Sequence, residues 1–258
     1  MTTPLPPHDH GNPLVTYFPF GPPIGYAELP KELVNDLNKG CDDITKDEEL
    51  LKSEDFSHSL VGQVKQELKI PIDVINKWGK WFGTQVQRYV AGYYNELYIP
   101  EQNFMIIPKE QALQNINKLQ VDVISAWYVQ SFDGDYNPIH THPDSELTCV
   151  GFLKVPDLSK ERKKRHANLN CNHVATAGAL EILSHGGVIT PQLYTNDGIG
   201  FVPKVGNWYL FPANLRHTAY PFKGIGERRS FSMNLNTKMF FQDSPDVDHL
   251  PEERGLLR

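Results

Sequence analysis

Hydrophobic spacing changes character about halfway along the chain. In the first half, apolar residues recur every three or four positions, the period of a helix with one buried face. Leu29 to Leu37 follows this period, with Pro30 at a helix-starting position. Ile72 to Tyr94 follows it over a longer stretch through Ile72, Ile75, Trp78, Phe82, Val86, Tyr89, Val90 and Tyr93. The aromatic residues of that stripe read as packing against a sheet. Residues 39–58 are acidic and read as irregular, and Val15–Phe20 reads as a first strand.

Beyond residue 100 the period shortens to two and β-branched and aromatic residues dominate. Strands are expected at Val121–Val129, Thr148–Val155, Gly178–Leu183, Ile199–Pro203, Trp208–Phe211 and Arg229–Leu235, with a turn over Gly134–Pro138. The basic run within 157–173 reads as a solvated loop. Helices followed by many short strands predict an α+β, mainly β chain, in which a barrel-like or sandwich core is buttressed by N-terminal helices. We expect one domain over residues 1–258: a flexible tail at 1–13, a strand and helical supporting layer at 14–119, the β core at 120–240 and a C-terminal tail at 241–258.

Composition removes several function classes. The 258 residues are 40% hydrophobic and 22% charged, ordinary for a folded protein. A net charge of −6 argues against nucleic acid as a partner. No apolar run suits a membrane span, and the Pro-rich first ten residues do not resemble a secretory signal. Cys41, Cys149 and Cys171 are an odd set without a CxxC, which points to a reducing cytoplasm and small buried side chains.

Candidate chemistry centres on His140-Thr141-His142. In extended chain, residues two apart share a face, so both imidazoles can reach one metal ion. His217, after the apolar strand ending at Phe211-Pro212, is the candidate third ligand. Imidazole suits iron, zinc, copper or nickel, and three protein ligands leave positions open for small molecules. An HxH pair alone is weak, but Arg228 follows His217 by eleven residues. Alternation along Arg228–Asn236 puts Arg228, Ser230, Ser232, Asn234 and Asn236 on a polar face, and Arg229, Phe231, Met233 and Leu235 on a largely apolar one. Arg228 therefore points into the lumen, where a guanidinium can bind a carboxylate bidentately beside the Ser230 hydroxyl.

In order and spacing these segments resemble the iron(II)/2-oxoglutarate-dependent dioxygenases. The resemblance is strongest to a group of 2-oxoglutarate oxygenases from phage and marine bacterial genomes. It is carried by Trp127, Gly134, Asn137, His140-Thr141-His142-Pro143-Asp144-Ser145, Phe211–His217 and Glu227–Asn234, and spans roughly residues 120–240. It implies a double-stranded β-helix (jelly roll, cupin-like) core, with Fe(II) and 2-oxoglutarate as cofactors. The implied reaction is a hydroxylation consuming O2 and releasing succinate and CO2. The metal maps to His140, His142 and His217, and the 2-oxoglutarate anchor to Arg228 with Ser230. Asn137, Tyr128 and Trp208 are expected to line the pocket, and Lys154 is a weaker carboxylate partner. Expected partners are 2-oxoglutarate, O2, an unidentified primary substrate and a second copy of the chain; a membrane is not expected.

Three alternatives stay open at this stage. The family's usual triad has an acid two residues after the first His, so His142, Asp144 and His217 form a rival ligand set. A cupin would use His140, His142, Glu146 and His217. A metal-free structural or assembly protein would keep the barrel and leave the histidines idle. The primary substrate is not legible.

Overall fold

The structure, a computed structural model, describes residues 14–17, 23–96, 109–158, 177–183 and 198–238. Both expected tails, Phe18–Phe20, Cys171 and most of the basic run lie outside the described residues.

Two antiparallel sheets form the body of the molecule. The larger has seven strands and is built from β1 (Val15–Tyr17), β2 (Ile24–Glu28), β3 (Gln66–Lys69), β4 (Gln120–Ser131), β6 (Leu147–Lys154), β9 (Asn207–Pro212) and β11 (Arg228–Lys238), in the order β1-β2-β9-β6-β11-β4-β3. The smaller has four: β5 (Asn137–His140), β7 (Leu180–Leu183), β8 (Gly198–Phe201) and β10 (His217–Ala219), in the order β5-β10-β7-β8.

Strand parity assigns every side chain of the larger sheet to one of two layers. Cys149 and Leu153 of β6, Trp208 and Leu210 of β9, and Phe231, Met233 and Leu235 of β11 face outward into one buried cluster with the helices. Helix α1 (Lys31–Lys46) contributes Leu33, Val34, Leu37, Cys41 and Ile44 to it. Helix α3 (Ile72–Glu96) contributes Ile75, Trp81, Phe82, Val86 and Tyr89. The alternate residues Val150, Phe152, Tyr209 and Phe211 face inward and meet Leu180 and Ile182 of the smaller sheet in a second cluster. Burying apolar side chains on both faces is what holds this helix–sheet–sheet stack together.

Where α3 crosses the sheet, the aromatic residues interlock: Trp81 meets Trp208 at 5.4 Å between ring centroids, and Phe82 meets Phe231 at 6.1 Å. Gly151 of β6 leaves room for the Phe231 ring; a Cβ there would sit 2.1 Å from Phe231 Cε1. Ile72, expected on the buried stripe, is 71% exposed at the first turn of α3, before the helix reaches the sheet.

Several sequence expectations need correction. Residues 39–58 are not irregular. Helix α1 runs through to Lys46 because Leu37, Cys41 and Ile44 continue the buried stripe at helical spacing. Helix α2 (Glu48–Ser53) follows at once, with the Asp47 carboxylate accepting from Glu49 N and Leu50 N. The expected turn over Gly134–Pro138 ends earlier, and Asn137–His140 is β5. The expected first strand is present as β1 and joins the large sheet, which also recruits β2 and β3 from the first seventy residues. Strand β3, Gln-Glu-Leu-Lys, is too short and polar to show a strand period, and pairing with the edge of β4 fixes it. Helix α4 (Lys109–Asn115) was not anticipated.

Candidate active site

The three histidines converge at one mouth of the space between the sheets. His140 ends β5 and His217 opens β10, and the two are direct cross-strand partners. Their ring centroids lie 4.2 Å apart. His142 follows β5, its backbone N–H donating to Ala213 O at 2.9 Å, which brings it beside the turn that leads into His217. His142 Nε2 then lies 3.2 Å from His217 Nε2. All three residues offer a ligand nitrogen within 4.8 Å of one another.

Hydrogen bonding fixes which nitrogens face inward. His140 Nδ1 donates to Pro138 O at 2.7 Å, and His217 Nδ1 donates to Leu215 O at 2.9 Å. In both rings the proton is therefore held on Nδ1 and the Nε2 lone pair is left for a metal, the usual device for orienting a histidine ligand. Burial, reinforced by the neighbouring imidazoles, pushes His217 down to about 3 and His142 down to about 4. Both are thus neutral donors near neutral pH. Two nitrogens bound at about 2.1 Å to one ion sit roughly 3 Å apart, so the donor set fits a divalent transition metal. Trp127 (5.7 Å from the His142 ring) and Phe211 (5.0 Å from the His217 ring) wall the cluster.

The rival carboxylates do not join this cluster. Asp144 is exposed on the rim of the cavity and is not part of the convergent set. Glu146 is turned outward, its Oε2 accepting from Thr237 N at 2.7 Å and Thr237 Oγ1 at 2.6 Å. The donor set that the fold assembles is all-histidine.

A cavity of about 200 Å3 runs inward from the cluster, lined in part by Asn137, Trp127, Ser230, Ser232 and Arg228. Arg228 is 2% exposed, its guanidinium 5.6 Å from the centre of the Phe152 ring, and Nε and Nη1 have no hydrogen-bond partner. Burial alone pushes it down to about 10, still cationic at neutral pH. A buried, unsatisfied cation is costly, and a ligand carboxylate at this point would satisfy it.

Tyr128 and Trp208 do not reach the cavity. Both point into the helical layer, and Tyr128 Oη is buried there without a partner. In β4 the alternation places Ser125, Trp127 and Val129 on the cavity side and therefore Tyr128 on the other. Lys154 is occupied by Asp42 at 3.3 Å and Glu227 at 3.4 Å. The sequence also gave no signal for Glu67 of β3, a cavity residue that is 1% exposed and whose strand shows no period.

Residues 125–234 match the family model described as "Putative 2OG-Fe(II) oxygenase". That segment, less than half of the chain, is similar to the 2OG-Fe(II) oxygenase family. The family's cofactors are Fe(II) and 2-oxoglutarate, and the matched segment contains all three histidines and Arg228. No curated protein sequence matches the chain.

Among solved structures the chain is similar to a Pseudomonas putida prolyl-4-hydroxylase, at 13% identity over 82% of this chain and 91% of that one, with a TM-score of 0.48. It is also similar to a prolyl hydroxylase from Trichoplax adhaerens solved with a hypoxia inducible factor peptide, at 12% identity over 82% of each chain, with a TM-score of 0.47. An oxidoreductase of the 2OG-Fe(II) oxygenase family from Burkholderia pseudomallei matches at 13% identity and a TM-score of 0.33, over 52% of this chain. The match spans about half of that oxidoreductase, 54% of its length.

Proposed function

We propose that His140, His142 and His217 hold Fe(II), that Arg228 and Ser230 anchor the distal carboxylate of 2-oxoglutarate, and that the chain hydroxylates a primary substrate in the cavity between them. The observation that carries this reading is the pairing of three inward-facing imidazoles with a buried, unsatisfied guanidinium in one cavity. The bound metal would supply activation of O2, coupled to decarboxylation of 2-oxoglutarate.

The chain's own residues supply geometry. The Pro138 and Leu215 carbonyls keep the proton off the inward nitrogens of His140 and His217. Arg228 keeps unpartnered donors at Nε and Nη1 with which to hold a carboxylate, with the Ser230 hydroxyl two residues along the same face of β11. Trp127, Phe211 and Phe152 keep water from the reacting end, which strengthens these charge interactions. The two facing sheets are consistent with a double-stranded β-helix, and no described helix is long and apolar enough to cross a membrane. The free, buried thiols of Cys41 and Cys149 support a cytoplasmic setting.

The test is turnover of 2-oxoglutarate by iron-loaded protein. Succinate is expected from the wild type and not from His217→Ala; succinate from neither would reject the reading. The cupin alternative loses its fourth ligand because Glu146 is engaged with Thr237.

A further inference from the structure

The cavity holds a second buried charge, of opposite sign to Arg228. Glu67 lies on β3, the edge strand beside β4, and is 1% exposed. Neither of its carboxylate oxygens has a well-formed hydrogen bond, and the Asn137 amide lies close enough to favour the ionised form. The chain fold over it is tight: a Cβ on Gly62 would come within 2.8 Å of Glu67 Oε1 and 3.0 Å of Asn137 Nδ2. Mutual backbone hydrogen bonds between Gln63 and Tyr136, at 2.9 and 3.1 Å, fasten that loop across the start of β5. The acid is thus fixed in the wall by the loop above and β4 beside it.

Register separates the two charges. Glu67 pairs with Val129, and Val129 pairs with Ser230, so Glu67 sits two strands from β11, roughly 10 Å at ordinary strand spacing. Arg228 lies two residues further along. The two do not neutralise one another, since each retains unpartnered polar atoms. One cavity therefore has a cationic pole and an anionic pole, with the histidine cluster facing it from the smaller sheet.

We propose that Glu67 is the recognition group for the primary substrate, and that this substrate presents a compact aliphatic cation, an alkylammonium, to the Glu67 carboxylate. The assignment rests on the reading of Arg228 as the 2-oxoglutarate anchor, which uses the other pole. An ionised carboxylate offers about four lone-pair sites and no donor. A neutral hydroxyl or amide satisfies one or two of them and leaves the charge buried. An ammonium supplies three donors and cancels the charge, which is the condition under which a buried carboxylate is tolerated. With about 200 Å3 to share with the co-substrate, the recognised group is small. Burial pushes the Glu67 carboxyl up to about 7, opposed by the nearby Asn137 amide, so the group is about half ionised near neutrality and binding of a cation releases the remaining proton to solvent.

The test uses the full chain loaded with Zn(II), which is redox-inert, and 2-oxoglutarate, with ligand-observed NMR of three matched probes: n-butylamine, n-butanol and butyrate. Butylammonium is expected to bind at least about tenfold more tightly than either other probe. Glu67→Gln is expected to abolish that preference, and Glu67→Asp, which keeps the charge, to retain it. Equal binding of the three probes by the wild type, or a preference that survives in Glu67→Gln, overturns the proposal. Binding of 2-oxoglutarate to the same wild-type sample is recorded in parallel. Its absence, with the amine preference intact, would reject the 2-oxoglutarate assignment and leave Glu67 standing; its presence without an amine preference would do the reverse.

Discussion

Arg228 and Arg229 are consecutive in sequence, both 2% exposed, and serve opposite faces of β11. Arg228 enters the cavity with Nε and Nη1 unpartnered. Arg229 enters the helical layer, where Nε donates to Glu227 Oε1 at 2.6 Å, Nη2 pairs with Asp42 Oδ1 at 2.7 Å and Nη1 donates to Asn38 O at 3.1 Å. The same residue type therefore stands unpartnered in the cavity on one face and is held in ion pairs and hydrogen bonds on the other.

Substitution should separate these roles. Arg229→Met leaves the half-buried Glu227 without its main partner and is expected to cost about 2 kcal/mol of stability in denaturant unfolding. Arg228→Met removes an unsatisfied buried cation and should leave stability unchanged or raise it. It should weaken 2-oxoglutarate binding roughly 10- to 100-fold, as loss of a charge-assisted hydrogen-bond pair worth about 1.5–3 kcal/mol implies. Equal stability losses in the two variants would contradict the division.

Glu67 gives the protein a defined pH dependence. Its carboxyl titrates near 7 when folded, against 4.5 as a free side chain, so folding is penalised where the group ionises. That stability is complete below about pH 4.5 and is lost as pH rises through 7. The loss is roughly 3–4 kcal/mol, since each pH unit between the two values is worth about 1.4 kcal/mol. Glu67→Gln should therefore be more stable than wild type at pH 8 and nearly equal to it at pH 4.5. Parallel pH–stability curves for the two proteins would contradict this.

Gly151 faces the Phe231 ring with no room for a side chain. Gly151→Ala should destabilise by about 1–3 kcal/mol through displacement of that ring. Phe231→Leu in the same background should recover part of the loss in thermal unfolding, whereas simple additivity of the two costs would mean the contact is not the cause.

Two hydroxyl and carboxyl groups that the sequence offered as site residues should prove dispensable for cofactor binding. Tyr128→Phe removes a buried, unpartnered hydroxyl in the helical layer and should leave 2-oxoglutarate affinity within about twofold and stability equal or slightly higher. Glu146→Gln should leave metal stoichiometry intact and cost about 1 kcal/mol by weakening the link to Thr237. Loss of metal in Glu146→Gln would restore the cupin arrangement.

The parts of the fold legible in the sequence are those where one face is uniformly apolar. The long stripe of α3 and the strict alternation of β11 could each be read directly, and alternation correctly separated Arg228 from Arg229. The same rule, applied to β4, would have sent Tyr128 to the helical layer once Trp127 was placed on the cavity side. Strands β3 and β5 were not legible because they are short, polar and ordered by pairing with β4 and β10 rather than by their own pattern. Glu67 was hidden for the same reason. The choice among Asp144, Glu146 and His142 depended on the turns after β5, in particular the His142 N–H to Ala213 bond, which no spacing rule reports.

The most direct test of the central claim is calorimetric titration of 2-oxoglutarate into wild type, His217→Ala and Arg228→Met, each with and without Mn(II) as an iron surrogate. The account predicts one metal-dependent site in the wild type, lost in His217→Ala and weakened roughly 10- to 100-fold in Arg228→Met. Binding that is indifferent to metal, or equally tight in Arg228→Met, would contradict it.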